Sequence, residues 1–194
     1  MLIPTARQAE AYVADAARRN PGPWVQHSRV AAGAARALGA GLPGIDPERA
    51  YVLGLLHDMG RGAGGPGVAD VRHILDGYAL LQRDGFDDAA RICLTHSFPI
   101  KDVDAFASAW DCPAAERRFV QDFLQRTEYD NYDRLIQLCD ALSLPTGCCL
   151  LEKRLVDVAI RHGVNALTVA KWRAYLGLKD ELEGLIGESI YGRL

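Results

Sequence analysis

The chain has 194 residues, of which 49% are hydrophobic and 24% charged. This balance is that of an ordinary globular protein and excludes a disordered or fibrous chain, and the length favours a single domain over residues 1–194. The formal net charge of -3 excludes the broad basic surface that binding to a nucleic acid duplex usually needs.

Apolar residues spaced three and four apart predict helices along the whole chain. Their approximate ranges are 5–19, 24–39, 47–57, 69–83, 87–97, 113–128, 132–144, 150–162 and 167–185. The third is apolar nearly all round, which predicts a helix buried in the middle of the fold. No strand alternation or repeat is found, so the predicted class is all-α, an irregular helical bundle.

Glycine residues punctuate two of the connections. The glycine-rich segment from Gly60 to Gly67 lacks the Lys-Ser/Thr ending of a phosphate-binding P-loop. We therefore interpret it as a mobile connector rather than a nucleotide cradle. His162 falls in the last helical turn before Gly163, where a cation interacts favourably with the helix dipole, and we interpret it as structural.

The location is predicted from the termini and the cysteines. The first ten residues lack the basic start and apolar run of a signal peptide, and no segment is long and apolar enough to cross a bilayer. We therefore expect a cytoplasmic protein with no membrane partner, and a homodimer stays open. The absence of a CxxC pair predicts buried, reduced thiols rather than disulfides or a zinc ribbon. The cysteines are Cys93, Cys112, Cys139, Cys148 and Cys149.

Four side chains that are remote in sequence are candidate metal ligands. His57 and Asp58 are adjacent at the end of the most apolar predicted helix, where an imidazole and a carboxylate could turn toward one cation. His27 lies on the inward face of its helix, and Asp140 lies within the apolar run Ile-Gln-Leu-Cys-Asp-Ala-Leu. Taken singly, His27 could be a core histidine and Asp140 a salt-bridge partner or a carboxylate that reaches solvent. Taken together, the four favour a metal site.

The order His27, His57-Asp58, Asp140 resembles the H…HD…D signature of the HD-domain metal-dependent phosphohydrolases. The matching blocks are His-Ser-Arg-Val-Ala at 27–31, Gly-Leu-Leu-His-Asp-Met-Gly-Arg at 54–61 and Leu-Ile-Gln-Leu-Cys-Asp-Ala-Leu at 135–142. The run at 57–60 is similar to the HDIG variant, with Met59 for isoleucine. The resemblance covers about residues 23–145 and implies that the four side chains are metal ligands. We expect the C-terminal helices, about 149–194, to pack on this core.

Two further histidines extend the resemblance. His73 and His96 also lie on apolar helix faces, in the segments His-Ile-Leu-Asp-Gly and Leu-Thr-His-Ser. Both segments resemble the added histidine blocks of the bacterial diadenosine tetraphosphate hydrolases and the cyclic di-GMP phosphodiesterases, in which the HD aspartate bridges two metals. The resemblance therefore favours two metals over one, bridged by Asp58. The glycine-tyrosine-proline motif of the cyclic di-GMP branch is absent, which argues against that substrate.

The ligand set also limits the metal and the phosphate-binding residues. Imidazole ligands suit Fe, Mn, Zn, Co or Ni better than Mg, although Mg stays open for a mononuclear site, and the family favours iron or manganese. Arg61 directly follows the HDMG block, at a position that is often basic in the resembling branches, so we predict that it holds a substrate phosphate. Lys101 and Arg134 are weaker candidates, which are more simply explained as surface charges.

The resemblance implies a phosphohydrolase that cleaves a phosphoester or phosphoanhydride of a small nucleotide-like substrate. Asp58 would bridge the metals and orient the attacking hydroxide. Nucleoside monophosphates, dinucleoside polyphosphates and cyclic nucleotides all fit this chemistry. One alternative is a catalytically silent HD domain that binds a nucleotide or a metal as a regulatory module. Another is a purely structural helical domain, which would bind no metal.

Overall fold

The structure is a computed structural model that describes residues 2–63, 71–106 and 108–194. Within these ranges the chain is almost entirely helical, which confirms the predicted all-α class, and none of the helices is long and apolar enough to cross a membrane. The helices are α1 (Ala6–Arg19), α2 (Trp24–Gly39), α3 (Pro47–Leu56), α4 (Arg72–Arg83), α5 (Asp87–Thr95), α6 (Ala114–Arg126), α7 (Asn131–Ala141), α8 (Leu151–His162) and α9 (Thr168–Ile186). Three short 3-10 turns lie at Met59–Gly62, Val103–Ala105 and Ile190–Gly192.

Side-chain caps fix where several helices begin. Thr5 and Gln8 form a capping box at the start of α1, and Asp46 accepts from two backbone N–H groups ahead of Pro47 at the start of α3. These contacts satisfy N–H groups that have no partner within the helix, each worth about 1 kcal/mol. Asp130 caps α7 in the same way, so this helix begins one residue before the predicted Tyr132.

The structure corrects the sequence prediction at two connections. The helix predicted to reach Leu144 ends at Ala141, because Ser143–Leu144 (β1) pairs antiparallel with Gly147–Cys148 (β2) in a short hairpin. Gly147 has a φ of 131°, which glycine adopts without strain. The predicted loop from Gly60 begins within a 3-10 turn, Met59–Gly62. Residues 64–70, which include the rest of that loop and the predicted start of α4, lie outside the described residues.

Helix α3 lies at the centre of the bundle, and its C-terminal end lies in the interior. It packs against α2, α1, α7 and α5, and Leu55 and Leu56 are completely buried. A buried leucine contributes about 1.5–3 kcal/mol relative to an exposed one. Gly54 lets α3 approach α2 closely, because a Cβ there would lie 2.9 Å from Ala32 Cα. The end of α3 is therefore held within the core.

The C-terminal helices share the main buried cluster with the rest of the bundle. Leu151 and Leu155 of α8 and Tyr175 and Leu182 of α9 belong to the same cluster as the buried residues of α2, α3 and α7. A second cluster, centred on Phe98, joins residues of α4, α5 and α6. Helices α8 and α9 thus lie where they can form a wall of a site in the bundle.

The cysteines are all free thiols, but only some are buried as predicted. Cys93 and Cys139 are buried, Cys112 and Cys149 are partly exposed, and Cys148 is exposed. Cys148 is the last residue of the hairpin that follows α7, and Cys149 comes directly after it. Both therefore lie outside the buried core. The prediction of five buried thiols is therefore wrong at three positions.

Candidate metal centre

Six side chains from five parts of the chain converge on one point in the interior. His27 comes from α2, His73 from α4 and Asp140 from the last turn of α7. His57 and Asp58 follow α3 directly, and His96 follows α5. All but Asp140 are buried, and the side chain of Asp140 is 18% exposed. The structure thus brings together all six predicted metal ligands.

Three of these side chains form a first group. His27 Nε2 lies 2.9 Å from Asp140 Oδ1 and 3.3 Å from His57 Nε2, and His57 Nε2 lies 3.7 Å from the same carboxylate oxygen. The donor atoms of these residues all lie within 4.8 Å of one another. This is the spacing of ligands that share one cation.

A second group lies on the other side of Asp58. Its Oδ1 atom lies 3.2 Å from His73 Nε2 and 3.7 Å from His96 Nε2, and these two imidazole nitrogens are 3.5 Å apart. Its other oxygen, Oδ2, lies 3.9 Å from His57 Nε2. The carboxylate therefore stands between two groups of histidines, with one oxygen facing each.

Backbone carbonyls orient three of the histidine rings. His57 Nδ1 lies 2.6 Å from Gly54 O, His96 Nδ1 lies 3.1 Å from Ile92 O, and His27 Nδ1 lies 3.2 Å from Ser143 O. A carbonyl oxygen only accepts, so in each pair Nδ1 donates, and Nε2 of the neutral ring carries the lone pair. Such partners fix the tautomer of metal-ligating histidines. When each ring is neutral, its Nε2 lone pair therefore faces the other ligands of the cluster, and for His27 this requires loss of the proton that it shares with Asp140.

The donor set fits a divalent cation. Donors bound about 2.1 Å from one ion lie about 3.0 Å apart in octahedral geometry and about 3.4 Å apart in tetrahedral geometry. The separations within the two groups run from 2.9 to 3.7 Å. Nitrogen lone pairs that face each other at such distances repel unless a proton or a cation lies between them. The residues present could hold one cation in each group, with Asp58 shared.

The electrostatics of the cluster keep both carboxylates ionised. Burial alone would raise the pKa of Asp58, but the positive charges of Arg61 and His73 outweigh it and hold that pKa well below its usual range. Burial also opposes ionisation of Asp140, but the hydrogen bond and charge of His27 lower its pKa. Both side chains are therefore available as anionic ligands at neutral pH.

The pKa values of two of the histidines are shifted in opposite directions, so protons compete with a metal for one of them more strongly than for the other. Burial lowers the pKa of His27, but the hydrogen bond and charge of Asp140 outweigh burial and raise the pKa above 6.5. Burial and the charge of His57 lower the pKa of His96 to about 4. His96 is therefore neutral near pH 7, whereas His27 must release a proton to bind a metal wherever the pH lies below its raised pKa.

The affinity for Mn²⁺ should therefore fall as the pH is lowered through the raised pKa of His27. Because His27 keeps its proton to a higher pH than an ordinary imidazole, metal binding below that pKa displaces a proton and weakens by up to about tenfold per pH unit. Calorimetric titrations in buffers of different ionisation enthalpy would count that proton. A pH-independent affinity with no proton release would show that His27 is not a ligand.

The centre opens into a cavity of about 690 Å³. Five of its six predicted ligands line the cavity, and so does Arg61, whose Nε lies 2.7 Å from Asp58 Oδ2. The cavity lining does not include Lys101, which stacks on Tyr129, or Arg134, which pairs with Glu181. Both residues therefore fit the interpretation as surface charges that the sequence favoured.

Several residues of the cavity wall were missed by sequence reasoning. His162, which the sequence analysis interpreted as structural, lines the cavity, and its Nδ1 lies 2.9 Å from Ser108 Oγ. Arg154 of α8 and Lys171 of α9 line it as well. In sequence these residues are indistinguishable from charges on the solvent side of an amphipathic helix. Only the packing of α8 and α9 on α7 directs them inward.

Comparison with known proteins agrees with this geometry. The model of the HD domain family matches residues 24–144, which is more than half of the chain. No curated protein and no solved structure matched. The matched range includes all six converging side chains and ends before α8. The chain therefore belongs to the HD-domain family, as its histidine and aspartate motifs predicted.

Proposed function

We propose that this protein is a metal-dependent phosphohydrolase that cleaves a phosphoester or phosphoanhydride of a small, nucleotide-like substrate. The observation that carries the proposal is the position of Asp58, buried between two groups of histidines at the base of an open cavity. A purely structural domain has no need for several imidazole lone pairs that face one another in the core. Membership of the HD-domain family supports the same conclusion.

The six converging side chains would bind two divalent cations. His27, His57 and Asp140 would hold one divalent cation, His73 and His96 would hold a second, and Asp58 would be shared. When bound, the cations supply a water of lowered pKa and positive charge for the phosphoryl oxygens. Asp58 accepts hydrogen bonds through either oxygen and can orient that water.

Arg61 is placed to assist the same reaction. It lines the cavity and orients Asp58 through the 2.7 Å hydrogen bond from its Nε. A guanidinium group carries a positive charge at neutral pH, so Arg61 would attract a phosphoryl group toward the centre. Its role as a direct phosphate ligand stays a prediction.

We propose iron or manganese as the bound metal. Four imidazoles with two carboxylates suit iron or manganese better than magnesium, and Zn, Co and Ni fit the same donors.

The free state of all five cysteines supports a reducing compartment, for which we propose the cytoplasm.

A substrate panel tests the proposal. The protein, loaded in turn with Mn²⁺ and Fe²⁺, would be incubated with nucleoside monophosphates, dinucleoside polyphosphates and cyclic nucleotides, and the products followed by ³¹P NMR. We expect turnover of at least one class, lost on chelation and restored by the metal. Nucleotide binding without turnover under either metal would instead support a silent regulatory module and would overturn the enzymatic proposal.

A further inference from the structure

The two C-terminal helices contribute positive charge to the cavity from outside the matched family range. Arg154 lies on α8 and Lys171 on α9, and both line the cavity that contains the candidate metal centre. The family match ends at residue 144. Both side chains lie beyond the matched range, so their function must be inferred from their surroundings.

Lys171 is a cation without an anionic partner. Among residues 2–63, 71–106 and 108–194, its ammonium has no hydrogen bond or ion pair, and it lies over the face of Phe106, 5.5 Å from the ring centroid. Burial lowers its pKa to about 8, although the charge of Asp140 opposes that shift. A bound anion would offset this penalty. Lys171 and Asp140 line the same cavity, so an anion bound to Lys171 would lie in the space that contains the metal centre.

Arg154, on α8, lines the same cavity. One of its terminal nitrogens lies 3.0 Å from Asp157 Oδ2, while its Nε is buried and has no hydrogen-bond partner within the described ranges. Its positive charge opposes the rise in the pKa of His27 that Asp140 causes. A buried donor without a partner costs about 1–3 kcal/mol, which a ligand oxygen at this position would recover.

The remaining charges of the wall limit how many phosphates can bind there. Arg61 is paired with Asp58, Arg72 with Asp76 and Glu116, and Arg161 with Asp157. Among the cavity-lining residues that the structure describes, the ammonium of Lys171 has no ion pair and the buried Nε of Arg154 has no acceptor. Together they suit one phosphoryl group, whereas a polyphosphate chain would need further uncommitted cations.

The rest of the cavity has room for an organic group. Its volume of about 690 Å³ lies within the range of about 300–1,000 Å³ that is typical of sites for small organic ligands. The side chains of Trp172 and Tyr175, on the same face of α9 as Lys171, line it as well. A group of nucleoside size can therefore lie against α9 while its phosphate faces the metal centre.

We propose that Lys171 and Arg154 bind the phosphoryl group of a phosphate monoester whose organic part is of nucleoside size, and so select monoesters over polyphosphates. This inference rests on the proposed function for the identity of the site, but it concerns binding rather than turnover. The C-terminal helices then serve as the substrate-recognition wall of the HD core.

Inorganic phosphate is the probe that tests this assignment. Its affinity would be measured by calorimetry for the full chain, both metal-free and loaded with Mn²⁺. Lys171→Met and Arg154→Met should each weaken phosphate binding at least about tenfold in both states, because each removes a charge-assisted contact. Lys171→Arg should retain most of the affinity. Lys153→Met is the matched control, since Lys153 is exposed on α8 and does not line the cavity.

The outcomes separate this inference from the proposed function. Wild-type affinity in both methionine variants, with unchanged circular dichroism and metal content, would overturn the phosphate subsite even if the enzyme hydrolyses phosphoesters. Lost phosphate binding would support the subsite even if the substrate panel shows no turnover. In the metal-free protein, a nucleoside triphosphate that binds more than about tenfold tighter than the monophosphate in a Lys171-dependent way would overturn the preference for monoesters.

Discussion

Replacing Asp58 by alanine is expected to abolish hydrolysis and to strip the metal, with a loss of activity well above about hundredfold. Changes to residues that only orient metal ligands already cost about 10–100-fold, and Asp58 faces both histidine groups directly. His57→Ala should act in the same way, because His57 Nε2 is within reach of Asp140 and Asp58. Turnover and metal content per chain would be measured on the same samples.

The helical circular dichroism of both variants should stay close to that of the wild type. The α3 helix ends at Leu56, so neither change removes a residue from its hydrogen-bonded turns. Asp15→Ala is a suitable control, because the side chain of Asp15 on α1 is 48% exposed and pairs with Arg18 and Arg19 of the same helix. Full turnover and metal content in Asp58→Ala would refute the role of this carboxylate.

Replacing Gly60 by alanine is expected to cost at least about 3 kcal/mol of unfolding free energy. A Cβ at this position would lie 1.9 Å from His73 O and 2.5 Å from the backbone nitrogen of Gly77. Both are backbone atoms of α4, so the helix itself must move. Urea unfolding followed by circular dichroism measures the change.

The same displacement should also weaken the second histidine group, since α4 carries His73. Metal content would therefore fall in the part of the Gly60→Ala population that stays folded. Gly33→Ala is the matched control, because Gly33 lies within α2 and a Cβ there meets nothing within 4 Å. Alanine should stabilise that helix by about 0.5–1 kcal/mol. Equal unfolding midpoints for the two variants would contradict the close approach of the HDMG turn to α4.

The sequence predicts the part of the site that depends on local pattern. His57 and Asp58 follow a helix that is apolar nearly all round, which predicts that the helix lies in the core and that its end is buried as well. His27, His73 and His96 lie on the apolar faces of their helices, which makes their inward direction readable from spacing. Their convergence on one carboxylate required the family resemblance, because spacing along separate helices does not fix how the helices pack.

The wall of the cavity could not be predicted in this way. Lys171 and Arg154 lie on amphipathic helices whose polar faces normally meet solvent. They point into the cavity because α8 and α9 pack on α7, which is a tertiary contact without a sequence signal. The β1–β2 hairpin was missed for a different reason. Two-residue strands are too short to show the alternation by which strands are predicted.

Anomalous scattering from crystals of the Mn²⁺-loaded protein tests the central claim most directly. We expect one peak about 2.2 Å from donor atoms of His27, His57, Asp58 and Asp140, and a second peak at a similar distance from Asp58, His73 and His96. Peaks confined to the protein surface, or a His27 imidazole and an Asp140 carboxylate too far apart to share an ion, would contradict it.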